Sequence, residues 1–99
     1  MALVKIKFAP SHMFLYGPDA ADKVRTALAE GKYVEESALF TVNGDSQDAA
    51  DEVFDLTNNP GRQDEREQIY GRGRSLSTGD IVVVGEEQWL CMSFGWAEV

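Results

Sequence analysis

The stretch DIVVVGEEQWLCMSFGW, residues 80–96, decides the fold. Asp80 to Val84 is apolar on both faces. Gln88 to Trp96 sets Leu90, Met92, Phe94 and Trp96 against Trp89, Cys91 and Ser93. Gly85-Glu86-Glu87 between the two runs is turn sequence, so the stretch predicts a β-hairpin.

Working outward, Val4, Ile6 and Phe8 alternate with Lys5 and Lys7, the period-two pattern of a half-buried strand, and Pro10 ends it. Met13 to Tyr16 is a short apolar run, read as a brief second strand before Gly17-Pro18-Asp19. Asp19 suits an N-cap, Asp22 favours the positive end of the helix dipole, and Ala20, Val24, Ala27 and Leu28 form one apolar stripe. This first helix is expected to reach about Glu30 and to end on Gly31. Tyr33 to Val42 returns to strand character, with Ala38, Phe40 and Val42 on one face and Leu39 and Thr41 on the other.

After Asn43-Gly44-Asp45, a second helix capped by Asp45 or Ser46 turns Ala49, Ala50, Val53, Phe54 and Leu56 inward, and Asn58-Asn59-Pro60-Gly61 stops it. Residues 62–79 are polar, with only Gln63 to Tyr70 long enough for two helical turns, and a connection of this length is more often functional or mobile than inert. The string predicts an α+β fold: a mostly antiparallel twisted sheet of four to five strands with two helices packed on it. One domain spans 1–99, with a long loop at about 58–79. At 99 residues and 43% hydrophobic content the chain can build one core and is too short for two.

Charge is segregated along the chain. Residues 1–32 carry five Lys or Arg against three acids, 33–61 none against seven, 62–74 four against three and 75–99 none against four, within a net charge of −8. Such a balance disfavours approach to nucleic acid or an anionic membrane and accelerates approach to a basic protein at low salt. The apolar runs are too short to span a bilayer, and Met1 to Phe8 lacks the build of a secretory leader, so a cytoplasmic setting is expected. Cys91 stands alone, which excludes an internal disulfide and a cysteine zinc site.

Asp48, Asp51, Glu52 and Asp55 fall at i, i+3, i+4 and i+7, one face of the second helix, with Glu35 and Glu36 as possible extensions. Seven residues of helix cover roughly 10 Å, so two or three carboxylates can stand where successive phosphates would. The same residues also serve as the plain solvated side of a surface helix; what favours a partner is the absence of interleaved lysine. The second candidate is Tyr70-Gly71-Arg72-Gly73-Arg74, where Arg72 and Arg74 suit phosphate or carboxylate and Tyr70 suits stacking on a base. It does not match a phosphate-binding loop, and intramolecular pairing or solvation competes with it. His12 has no metal-ligand or triad spacing around it, Cys91 reads as a small buried hydrophobe, and nothing in the sequence shows two of its many acids converging in an apolar pocket. The expectation is therefore no enzyme, no metal and no cofactor. Trp89 and Trp96 are core candidates, with an exposed Trp89 a natural anchor for an interface or a homodimer.

From Asn58-Asn59-Pro60 through Tyr70-Gly71-Arg72-Gly73-Arg74-Ser75-Leu76-Ser77-Thr78-Gly79-Asp80 to Phe94-Gly95-Trp96, the last 40 or so residues resemble the YodL-type module of phages, plasmids and other mobile elements. The shared phrase is R-S-L-S-x-G-D followed by a hydrophobic run, an acidic turn, and a strand ending in Gly-aromatic. Physically the phrase is a turn that launches a strand, with Leu76 as anchor. The resemblance carries over no active site; it implies a mobile-element protein that acts on host defence or other host machinery. Joined to the acidic ridge, it yields the expectation of an anti-CRISPR or antirestriction inhibitor that binds a basic nuclease or surveillance protein. The alternatives are an adaptor or accessory domain that binds nucleic acid or a partner through Tyr70, Arg72 and Arg74, and a structural module that forms a homodimer.

Overall fold

The computed structural model describes residues 1–10 and 19–99. The strand expected at Met13–Tyr16, and His12, lie outside the described residues. The elements are β1 (Ala2–Phe8), α1 (Ala20–Ala29), β2 (Glu35–Glu36), β3 (Phe40–Val42), α2 (Ser46–Asn58), a 3-10 turn (Pro60–Arg62), α3 (Gln63–Ile69), β4 (Ile81–Val84), β5 (Glu87–Cys91) and β6 (Trp96–Glu98). The fold is α+β, as the sequence indicates, with six strands and three helices among the described residues. The sheet runs β2-β1-β4-β5-β6, with β3 also on β1, and every pairing is antiparallel.

The alternation of β1 decides the layering. Val4, Ile6 and Phe8 pack with Val82, Val84 and Cys91 beneath Ala49, Ala50, Val53 and Leu56 of α2. On the other face, Ile81 and Leu90 meet Val24 and Ala27 of α1. β4 is therefore covered on both faces, which is why its sequence is uniformly apolar. Each fully buried Val, Leu or Ile contributes about 1.5–3 kcal/mol.

α1 ends as its glycine suggests: Gly31, at φ 71°, donates to the Leu28 carbonyl at 3.1 Å and Lys32 to that of Ala27 at 2.9 Å. Asp19 occupies the N-cap position without a side-chain capping bond; its carboxylate pairs with Lys23 at 3.6 Å. The expected hairpin turn is tight. Val84 pairs with Glu87, and Gly85, at φ 60°, holds the first central position that a type II′ turn reserves for glycine.

Four expectations need correction. Ala38 is exposed, away from the face of Phe40 and Val42. β1 pairs Lys7 with Glu36 but Val4 with Phe40, so Ala38 and Leu39 together oppose Lys5 as a bulge. Ser37 bridges the break: its hydroxyl accepts the Ile6 N–H at 2.8 Å and its own N–H donates to the Ile6 carbonyl at 2.8 Å. The run 88–96 is two strands. Cys91 pairs with Trp96, Gly95 takes φ 72°, and Phe94 stands at the tip, 95% exposed. Phe54 is 43% exposed, at the edge of the α2 stripe.

Finally, the loop at 58–79 is built. After the 3-10 turn and α3, its remainder is stitched to the end of α2. The Thr57 hydroxyl accepts the Leu76 N–H at 3.1 Å, Asn58 donates to the Leu76 carbonyl at 2.9 Å, and Leu76 is buried. Arg66 donates to the carbonyls of Thr57 and Gly73 and to the Ser75 hydroxyl.

Candidate binding face on helices α2 and α3

The four ridge acids lie along the outer face of α2 as their spacing predicts, but three of them have intramolecular partners. Arg62, presented by the 3-10 turn that follows the helix, reaches back over it. One guanidinium nitrogen meets Glu52 at 2.7 Å and Asp55 at 2.9 Å, while the other meets Glu52 at 3.0 Å and Glu65 at 2.9 Å. This fork is bidentate on Glu52, and the Arg62 side chain is 18% exposed. The three carboxylates push the Arg62 pKa further up, and the hydrogen bond from Arg62 holds the Glu65 carboxyl below its usual range.

Asp51 accepts the Trp96 indole N–H at 2.6 Å. Asp48 is exposed and its side chain makes no hydrogen bond or ion pair among the described residues. Glu36 belongs elsewhere: it pairs in register with Lys7, on the sheet face away from α2, and bonds Lys5 at 3.0 Å. Glu35, opposite Phe8, sits by Lys32 and Arg74. The ridge thus does not extend into β2.

It extends instead into α3, which packs on α2 and adds Asp64, Glu65 and Glu67. Residues 45–67 hold eight acids against Arg62 and Arg66. Arg66 is spent on the loop carbonyls, so Arg62 is the cation that lies among the acids. One guanidinium among three carboxylates cancels one of their three charges, so the cluster keeps a net negative field. The sequence hides Arg62 as a partner because it lies ten residues beyond Glu52 across a Pro-Gly turn, outside any helical periodicity. The three acids of α3 lie where the sequence allows two helical turns, but no spacing in it shows that those turns pack beside α2.

The arginine loop is engaged as well. The Tyr70 ring packs on Phe40 at 5.0 Å, its hydroxyl donates to the Arg74 carbonyl at 2.5 Å, and Arg66 lies 5.4 Å from its centre. Arg74 covers the Phe8 ring at 4.4 Å and approaches Asp80 at 3.7 Å. Tyr70 and Arg74 thus serve the fold, and Arg72 alone stays exposed and without a hydrogen bond or ion pair among the described residues.

Asp80 closes the R-S-L-S-x-G-D phrase as an architectural device. It is 1% exposed; one oxygen accepts the Ala9 N–H at 2.8 Å, and the other accepts the Ser77 N–H at 2.9 Å and the Ser77 hydroxyl at 3.2 Å. Its carboxylate ties the turn before β4 to the end of β1. Burial, and then this charge, push the Tyr33 hydroxyl up to about 12 and the Cys91 thiol up to about 11. The Tyr33 hydroxyl donates to the Gly79 carbonyl at 2.6 Å. Cys91 is buried, and Trp89 packs on the core while donating to Glu87 at 3.1 Å.

Among the described residues no group of His, Cys, Asp and Glu is arranged to hold a metal ion, and no helix is long and apolar enough to cross a membrane. No family model matches the chain, and no curated protein or solved structure matches it.

Proposed function

We propose that the chain is a small acidic binding protein that docks its α2–α3 face on the basic groove of a nucleic-acid-handling protein, where phosphates would otherwise lie. The concrete form is a cytoplasmic, mobile-element inhibitor of a host nuclease or surveillance protein, of the anti-CRISPR or antirestriction type. The observation that carries this reading is the Arg62 clamp. It fixes Glu52, Asp55 and Glu65 in place while leaving the cluster net negative. Carboxylates already held at set positions lose less side-chain freedom on binding than free ones do. Asp48 and Asp64 flank the cluster with no partner among the described residues to neutralise them.

The test is a pull-down from nuclease-treated bacterial lysate with the parent chain and with Asp48→Lys plus Asp64→Lys. Both side chains are exposed and bond to nothing among the described residues, so the change removes only their favourable place in the first turns of α2 and α3, and circular dichroism of the variant checks that the fold is kept. A basic protein held by the parent at low salt and lost with the variant supports the reading. Identical recoveries with both baits refute it.

A further inference from the structure

We infer that the cleft between α2 and the β5–β6 turn receives an arginine side chain of the basic partner. This rests on the acidic-face reading and names the chemistry its partner must present. Phe54 of α2 and Met92, Gly95 and Trp96 of the turn line the cleft, with Asp51 at its rim. Its volume of about 240 Å³ is below the range usual for cofactor pockets and on the scale of one long side chain.

Three features select a cation with an apolar stem. Phe54, 43% exposed, leaves aromatic surface open to solvent along the α2 wall of the cleft. The half-buried Trp96 offers an indole face, and its N–H orients Asp51 by taking one carboxylate oxygen at 2.6 Å. The second Asp51 oxygen has no protein donor among the described residues. An arginine stem lies along Phe54 and Met92 while its guanidinium meets that oxygen and stacks on the indole. Planarity and weak hydration favour arginine over lysine at such a site. Among the described residues no Lys or Arg lines the cleft, and Asp48 stands on the same helix to meet a neighbouring cation. Complementarity of charge thus commits the cleft to a basic partner rather than to a second copy of this acidic chain.

The experiment is an NMR titration of the labelled chain with a capped Arg-Gly-Leu repeat peptide and with its Lys counterpart. Saturable shifts at the Trp96 indole N–H and at the amides of Asp51, Phe54 and Gly95 are expected, with the Lys peptide binding several-fold more weakly. Asp51→Asn plus Phe54→Gln, which keeps the acceptor for the indole and removes the apolar wall for the stem, should weaken the Arg peptide by about tenfold. Shifts scattered over the acids of α2 and α3 without saturation overturn the inference. So does unchanged affinity in that variant while Asp48→Lys plus Asp64→Lys weakens binding, an outcome that leaves the acidic-face reading standing. Affinity unchanged in both variants refutes the two together.

Discussion

Asp80→Asn tests whether a single buried carboxylate holds the C-terminal half to β1. In the parent, each oxygen of Asp80 accepts from a backbone N–H, one from Ala9 and one from Ser77, and the Ser77 hydroxyl adds a third bond. An asparagine amide has one acceptor oxygen. In either orientation its NH2 faces a backbone N–H, so one donor is orphaned at a site 1% exposed. An unsatisfied buried donor costs about 1–3 kcal/mol, and the bonds that survive lose the assistance of the charge. The expected loss is about 3 kcal/mol, or a fall in melting temperature of roughly 15 °C for a domain of this size. Urea unfolding followed by far-UV circular dichroism reads it, with Ser77→Ala, which removes only the hydroxyl bond, expected to cost about 1 kcal/mol. A stability for Asp80→Asn within about 0.5 kcal/mol of the parent would refute the reasoning, since that is the range of an ordinary surface substitution.

Three further expectations follow from the same geometry. Arg62→Met should leave Glu52 and Asp55 facing each other without their cation. A double-mutant cycle with Glu52→Gln should give a coupling of about 1–2 kcal/mol that shrinks at high salt, and a coupling of zero would dissolve the clamp. Stability should fall on the alkaline side. Thiol and phenol pKa values raised by folding mean that the unfolded chain ionises first, so the contribution of Cys91 declines between about pH 9 and 11 and that of Tyr33 between about pH 10 and 12. A melting temperature flat from pH 8 to 12 would contradict that. Gly73→Ala places a methyl carbon 2.7 Å from the Tyr70 hydroxyl, which is tied to Arg74 and packed on Phe40. Loss of about 1–2 kcal/mol is expected in thermal unfolding, and Tyr70→Phe plus Gly73→Ala should not restore it, since the ring carbon Cζ still lies 2.8 Å from the added methyl.

Much of the fold was legible because its signals are local. The alternation of Val4, Ile6 and Phe8, the stripe of α1 closed by Gly31, and the hairpin at Gly85 each depend on a few neighbouring residues, and each stands in the structure as read. What escaped depends on partners distant in sequence. The bulge at Ala38 and Leu39 exists because β1 accepts two strand segments in registers one residue apart, with Ser37 spanning the step. The break at Met92 to Gly95 is signalled only by one glycine inside an apolar run, since Met92 and Phe94 keep the alternation going. Arg62 reaches Glu52 and Asp55 across a turn, and Arg66 spans α3 and the loop, so neither contact has a spacing to be read. The candidate site followed the same division. The helical spacing placed Asp48, Asp51, Glu52 and Asp55 on one face, but it said nothing of the cation that clamps two of them, of the indole that binds a third, or of the acids that α3 adds.

The central claim is that this acidic face occupies a surface made for phosphates, and competition tests it most directly. With the basic protein retained by the parent chain in hand, labelled chain and duplex DNA are titrated against each other on that protein at low and at moderate salt. The account predicts mutual displacement, weakening as salt rises. Simultaneous binding of the chain and DNA, with an affinity indifferent to salt, would contradict it.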